Sequence, residues 1–349
     1  MSRVMIGDRP VGDGASVYVI AEAGSNHDRD LDQARRLIDV AATAGADAVK
    51  FQTFTAERIA SESPTRAKYL DAVLPPDETM ASLFRKLELP YEWHAELFDH
   101  AKDAGLDFLS TPFDETAADM LAELGVKAFK IASYELWHLP LLRHVAAKGR
   151  PMICSTGMAD LRDVQDAVDV VTEAGGRDRL ILLHCVVNYP PPFGDLNLRA
   201  IETLRVAFGV PVGYSDHTPG WTAPVVATAL GAAVIEKHFT TSRDRPGPDH
   251  RFALEPDELT AMVRAIRDAE AALGDGIKRM AEAEADLYET ARRSLHAARD
   301  IEAGTILREA DVAVLRPGTG LEVRDLPHVI GRTAQRRIGR HEPLSWEMF

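Results

Sequence analysis

Between residues 17 and 273 the chain alternates, eight times over, a short apolar run with an amphipathic one. No other feature constrains the fold as much. Short β-branched runs without polar alternation read as strands buried on both faces. Stretches with apolar residues three and four apart read as helices. Strands are expected at 17–22, 46–51, 107–110, 128–131, 151–155, 180–185, 210–214 and 232–237. Helices are expected at 31–44, 91–104, 115–124, 139–148, 161–174, 198–208, 222–230 and 256–273. Eight consecutive β/α units are the count of a (β/α)8 TIM barrel, an α/β fold with all strands parallel. An open, doubly wound sheet is the alternative. It fits less well because no GxGxxG turn follows the first strand.

The period ends near Gly274-Asp-Gly276, so the barrel is assigned to residues 1–276. A charged, helix-prone linker is expected over 277–293. A small, mostly-β domain is expected over 294–349, where short β-like pieces are punctuated by Gly304, Pro317, Gly318 and Gly320. The arginine-rich run 332–340 reads as a solvated face. Inside the barrel, residues 61–79 are long and irregular, with Pro64, Pro75 and Pro76, and are expected to form a functional loop.

A formal charge of −14 argues against non-specific binding to nucleic acid or anionic membranes, which need a basic surface, but allows a local basic pocket. The two cysteines, Cys154 and Cys185, each lie in an apolar run and read as buried free thiols. No signal-peptide pattern precedes the first strand, and no run of about 20 apolar residues occurs. No membrane span is expected, and the cytoplasm is the expected compartment.

In a barrel of this kind reactive groups collect at the carboxyl ends of the strands. Those ends carry Glu22 with Ser25, Asn26 and His27; Lys50 and Gln52; Ser110 and Thr111; and Lys130, Ser133 and Glu135. They continue with Ser155 and Thr156; His184, Asn188 and Tyr189; Ser215, Asp216 and His217; and Glu236 and His238. His217 and His238 stand 21 residues apart on neighbouring strands. Their imidazoles can meet and hold one divalent cation with positions left open, although either histidine alone fits a structural role as well. Two lysines and several hydroxyls suit a compact dianion such as phosphate, and a buried ammonium without an anion is costly. Metal and phosphate side by side suggest a phosphorylated substrate and a polarised carbonyl. His27 and His184 are read as hydrogen-bonded rather than ligating. No Gly-x-Ser-x-Gly elbow and no zinc-type Cys/His spacing occurs.

In order along the chain stand Ile20-Ala-Glu-Ala-Gly-Ser-Asn-His27, Gly45-Ala-Asp-Ala-Val-Lys-Phe-Gln52, Ser110-Thr-Pro-Phe113, Lys130-Ile-Ala-Ser133 and Ser155-Thr-Gly-Met158. Leu183-His-Cys185, Gly213-Tyr-Ser-Asp-His-Thr218, Glu236-Lys-His-Phe239 and Gly247-Pro-Asp249 follow. This ordered set resembles the sialic acid (N-acetylneuraminate) synthases, a family that includes the legionaminic and pseudaminic acid synthases. Asp300-Ile-Glu-Ala-Gly304, Asp311 and Arg316-Pro-Gly-Thr-Gly320 resemble the family's C-terminal antifreeze-like (SAF) domain.

The resemblance implies a metal-dependent condensation of phosphoenolpyruvate with an open-chain N-acetylmannosamine-type amino sugar. The products are a nonulosonic acid and phosphate, released with C–O cleavage. It assigns His217 and His238 to a divalent metal, Mn²⁺ with Mg²⁺ or Co²⁺ as alternatives. Lys50, Thr111, Lys130, Ser133, Ser155 and Ser215 would bind phosphoenolpyruvate. Gln52, Glu135, Tyr189, Asp249 and Arg316 would address the sugar, the arginine reaching the partner's site in a domain-swapped homodimer. Glu22 would sit near the metal and the sugar hydroxyls. Glu22, Glu236 and the two histidines make up the expected catalytic group.

Signals for the sugar are mixed. Val187 stands where sialic acid synthases commonly carry asparagine, two residues before the Tyr189-Pro190 pair. Pro90-Tyr-Glu-Trp-His94 and Tyr134 look more like pseudaminic acid synthases, and Arg245-Pro-Gly-Pro-Asp249 more like the neuraminate and legionaminate group. The alternative substrate is thus a 2,4-diacetamido-2,4,6-trideoxyhexose. Competing readings outside the family are an aldol-type synthase on a sugar phosphate, a metal-dependent barrel hydrolase and a non-catalytic carbohydrate-binding barrel.

Overall fold

The computed structural model describes residues 2–61, 63 and 79–349. A hairpin comes first, β1 (Arg3–Ile6) against β2 (Arg9–Gly12). Eight parallel strands follow: β3 (Tyr18–Gly24), β4 (Ala48–Thr53), β5 (Asp107–Pro112), β6 (Phe129–Ile131), β7 (Met152–Ser155), β8 (Leu180–Cys185), β9 (Val212–Asp216) and β10 (Val234–His238). They form one sheet in the order β5-β4-β3-β10-β9-β8-β7-β6. Its two edges, β5 and β6, lie beside each other, so the sheet is nearly closed into the expected barrel.

The helices are α1 (Leu31–Thr43), α2 (Ala56–Ile59), α3 (Met80–Leu87), α4 (His94–Asp103), α5 (Glu115–Leu124), α6 (Leu139–Ala146), α7 (Leu161–Glu173), α8 (Ala200–Phe208), α9 (Thr222–Ala229) and α10 (Pro256–Leu273). Local chemistry sets their starts. Asp30 caps α1 through the Gln33 N–H, and Asp160 caps α7 in a capping box with Asp163. Most of the irregular stretch 61–79 lies outside the described residues.

Strand alternation sorts the side chains into two layers. In β3, Val19, Ala21 and Ala23 pack toward the helices, while Tyr18 and Ile20 pack in the barrel interior. The interior cluster also holds Ala48, Leu109, Ile153, Ile181 and Val234, near the amino ends of their strands, together with Val4, Ile6 and Val11 of the hairpin. The hairpin therefore plugs the amino end of the barrel. It is absent from the sequence reading, although Gly7-Asp8 between alternating apolar residues is a hairpin signal, and Gly7 has φ +61°. Toward the carboxyl ends the inward positions turn polar, and there the site begins.

Residues Asp275–Phe349 form a second compact unit. Its core includes Leu295, Ile301, Leu307, Val329, Ile338 and Leu344, around β11 (Ser294–Ala297) paired antiparallel with β12 (Val312–Leu315). The expected helical linker is corrected. Only α11 (Ala285–Thr290) is α-helical there, after a 3-10 turn at Glu282–Glu284. Every side chain from 271 to 290 is exposed, and a short helix with no buried stripe lacks the packing that stabilises helices.

Candidate active site

Every site residue expected within the first unit lines one cavity of about 340 Å³ at the carboxyl ends of the strands. Arg316 belongs to the second unit, directly after β12.

The floor is an alternating charge cluster. Lys50 Nζ lies 2.7 Å from Glu22 Oε2 and 3.7 Å from Glu236 Oε2, and donates to Thr111 Oγ1 at 3.1 Å. Lys130 Nζ donates to Ser155 Oγ at 2.7 Å and to the Ile131 carbonyl at 3.0 Å, and lies 3.6 Å from Glu236 Oε1. That same Oε1 accepts from Ser215 Oγ at 2.8 Å. All four charged groups are buried. Desolvating one such ion costs several kcal/mol, so they persist because each is paired.

Burial pushes Glu22 up to about 7, with Lys50 opposing and Glu236 adding to it. Burial also acts upward on Glu236, but Lys130 and Lys50 outweigh it and hold that carboxyl low. Lys50 is raised, its two carboxylate neighbours outweighing burial, whereas burial pulls Lys130 down. Glu22 is therefore the carboxyl that yields its charge first. Ser133, at the head of a 3-10 turn after β6, accepts from the Gly157 N–H at 3.0 Å and completes the hydroxyl-lined side.

His217 and His238 meet at the rim with ring centroids 5.3 Å apart. His217 Nδ1 donates to the Val186 carbonyl at 3.2 Å. A carbonyl only accepts, so the proton sits on Nδ1 and the Nε2 lone pair is free for a ligand. His238 Nδ1 is buried with no hydrogen-bond partner. Burial lowers His217 to about 4 and holds His238 well below its usual value. Both rings are thus neutral at neutral pH, the form that binds metal. Among the described residues no group of three or more His, Cys, Asp or Glu side chains is placed to hold a metal. The two histidines fit a cation that takes its remaining ligands from substrate or solvent. Tyr189 packs 4.5 Å from His217, and Phe252 packs 5.2 Å from His238.

Elsewhere in the cavity, Gln52 Nε2 donates to Glu22 Oε1 at 3.0 Å, and Asp249 accepts from Ser25 Oγ at 3.3 Å. Burial raises both Asp249 and Glu135. Sequence reasoning missed the apolar wall of the cavity: Phe54, Ile59 and Phe113, with Met80, Leu83, Phe84 and Leu87 from α3. Its signal was present, since residues 80, 83, 84 and 87 follow helical spacing. Cys185 also lines the cavity.

Several strand-end residues lie outside the cavity lining, among them Asn26, Thr156 and Asp216. Ser110 bonds Thr53 on the helix-facing side, His184 Nε2 bonds the Leu196 carbonyl at 2.7 Å, and Asn188 is exposed. His27, as expected, is hydrogen-bonded, its Nδ1 accepting from the Arg29 N–H.

Comparison with known proteins bears on this geometry. Residues 37–278 match the NeuB family and residues 292–349 match the SAF domain. An N,N'-diacetyllegionaminic acid synthase from Legionella pneumophila is 41% identical over 99% of this chain and 98% of its own length. A pseudaminic acid synthase from Campylobacter jejuni is 37% identical over 92% and 93%. The crystal structure of the Bacillus subtilis spore coat polysaccharide biosynthesis protein SpsE covers 99% of both chains with a TM-score of 0.69 and 40% identity. A barrel whose carboxyl end carries these residues, followed by an SAF unit and matched along nearly its whole length, belongs to the NeuB family.

Proposed function

We propose that this enzyme condenses phosphoenolpyruvate with the open-chain form of an acylated amino sugar, giving a nonulosonic acid and phosphate. The observation that carries the reading is one cavity holding a lysine–hydroxyl anion cradle beside two neutral histidines. Lys50 and Lys130, with Thr111, Ser133, Ser155 and Ser215, bind the phosphate and carboxylate of phosphoenolpyruvate through charge-assisted hydrogen bonds. His217 and His238 would hold a divalent cation, Mn²⁺ foremost, which when bound supplies Lewis-acid polarisation of the sugar aldehyde. The enol carbon forms a C–C bond to that aldehyde carbon, water adds at the neighbouring carbon, and phosphate leaves with C–O cleavage. Glu22, fixed by Gln52 and Lys50, orients the sugar at its reacting end, and Glu135, Tyr189 and Asp249 hold its polar substituents.

The apolar wall favours a 2,4-diacetamido-2,4,6-trideoxyhexose, the sugar that the legionaminic relative also suggests. Each methyl group buried there contributes about 0.8 kcal/mol. N-Acetylmannosamine, with hydroxyls at C4 and C6, is the competing substrate. Buried free thiols at Cys154 and Cys185 support a reducing compartment, the cytoplasm. The proposal extends to a homodimer in which the SAF unit is exchanged and Arg316 contacts the partner's sugar.

The test is phosphate release from phosphoenolpyruvate with a panel of acylated amino sugars and Mn²⁺. Release is expected with the diacetamido sugar above all, and chelation should abolish it. If no acylated hexosamine supports release, the reading fails.

A further inference from the structure

Behind the histidine pair, on the helix-facing side of the barrel, lies a second ion pair that the reaction does not call for. Lys237 precedes His238 on β10 and Asp216 precedes His217, and the two residues are in register across β9 and β10. Lys237 Nζ lies 2.5 Å from Asp216 Oδ2, and both side chains are fully buried. The carboxylate is saturated. Oδ1 accepts from the Tyr214 hydroxyl and from the Thr218 N–H, each at 3.0 Å, and Oδ2 accepts from Thr218 Oγ1 at 3.0 Å. Lys237 also donates to the Thr218 carbonyl.

His217 is therefore the middle residue of a turn pinned at both ends, and the pin is anchored on the residue next to His238. Stability alone does not explain the arrangement. In register with Lys237 across β3, β4 and β5 stand Ala21, Val49 and Phe108, all apolar and buried. A buried ion pair is commonly no more stabilising than apolar side chains of the same size, whereas it fixes geometry where two arrangements compete.

We propose that Lys237 and Asp216 are positioning residues which hold the two imidazoles at the spacing a divalent cation requires. The proposal rests on the metal-site reading of His217 and His238. Outer partners of this kind change metal affinity without touching the metal.

The test uses the full-length chain and titrates Mn²⁺ directly by electron paramagnetic resonance of the free ion. Asp216→Asn combined with Lys237→Met removes both charges and leaves an acceptor for Thr218. It is expected to melt as the wild type does and to bind Mn²⁺ about tenfold or more weakly. The Mn²⁺ concentration for half-maximal activity should rise in parallel, with KM for phosphoenolpyruvate unchanged. If the double variant does not fold, Thr218→Val, which keeps both charges, should still weaken Mn²⁺ binding measurably. Wild-type Mn²⁺ affinity in a folded variant of either design overturns the inference. A wild-type protein that binds no Mn²⁺ removes the metal-site reading and the inference with it.

Discussion

Four buried ionisable groups, Glu22, Lys50, Lys130 and Glu236, share the cavity floor, and their pairing decides what the site can accept. Lys130 is the informative one to change. Its ammonium holds Ser155 and faces Glu236, and Glu236 keeps Ser215 and Lys50 when Lys130 is lost. Lys130→Met preserves length and packing while removing one preorganised donor. The expected outcome is a fall in kcat/KM for phosphoenolpyruvate of about 10²–10³, with the melting transition retained. Phosphate-release kinetics alongside circular dichroism check it, and a loss of less than about tenfold would take Lys130 out of the anion cradle. Residue types at strand ends made this cluster readable in advance, because reactive groups of a barrel collect at the carboxyl ends of its strands. Neighbouring residues such as Ser110 and Thr111 show the limit. They cannot both face inward, and only register separates them. Phe252 carried no local signal, since its contact with His238 is made by a 3-10 turn in the segment that follows β10.

At the level of elements, α5 and α10 occur at the bounds their apolar period predicts, and the barrel strands fall within three residues of theirs. Propensity and packing agree in these segments. Where they disagree, the reading fails, as in the linker with its single short helix. The β1–β2 hairpin is a different case, because its importance comes from what it covers. Ile6 is fully buried against the interior ends of the barrel strands. Ile6→Ala is expected to cost about 2–5 kcal/mol, the loss of a buried aliphatic side chain plus the cavity left behind. Urea unfolding should show it in the barrel's transition. The active site lies at the other end of the strands, so kcat at saturating substrate should remain near wild type. A stability loss within error of zero would mean that the hairpin does not plug the barrel.

At the scale of the molecule, the question is how a residue of the second unit could serve a site in the first. Arg316 is exposed and has no ion-pair partner among the described residues, unlike its neighbours Arg292, Arg299 and Arg324. The loop that carries it is nonetheless held in place. The Pro317 carbonyl accepts from Ser294 Oγ at 2.7 Å, the Gly318 N–H donates to the Glu289 carbonyl at 2.9 Å, and the Gly320 N–H donates to Ser294 Oγ at 2.9 Å. An unpaired cation on a pinned loop suits recognition of a ligand supplied from outside its own unit. In the proposed exchanged homodimer that ligand is the sugar in the partner's barrel, and the arrangement predicts complementation between two inactive chains. Arg316→Ala spoils the SAF contribution and His217→Ala spoils the barrel. Refolded together in equal amounts, half of the dimers are mixed, and each mixed dimer holds one intact site, so about one quarter of wild-type activity should return. If the arginine serves its own chain's barrel, every site in the mixture carries one lesion and no activity returns. Phosphate release before and after mixing therefore distinguishes exchange from service within one chain.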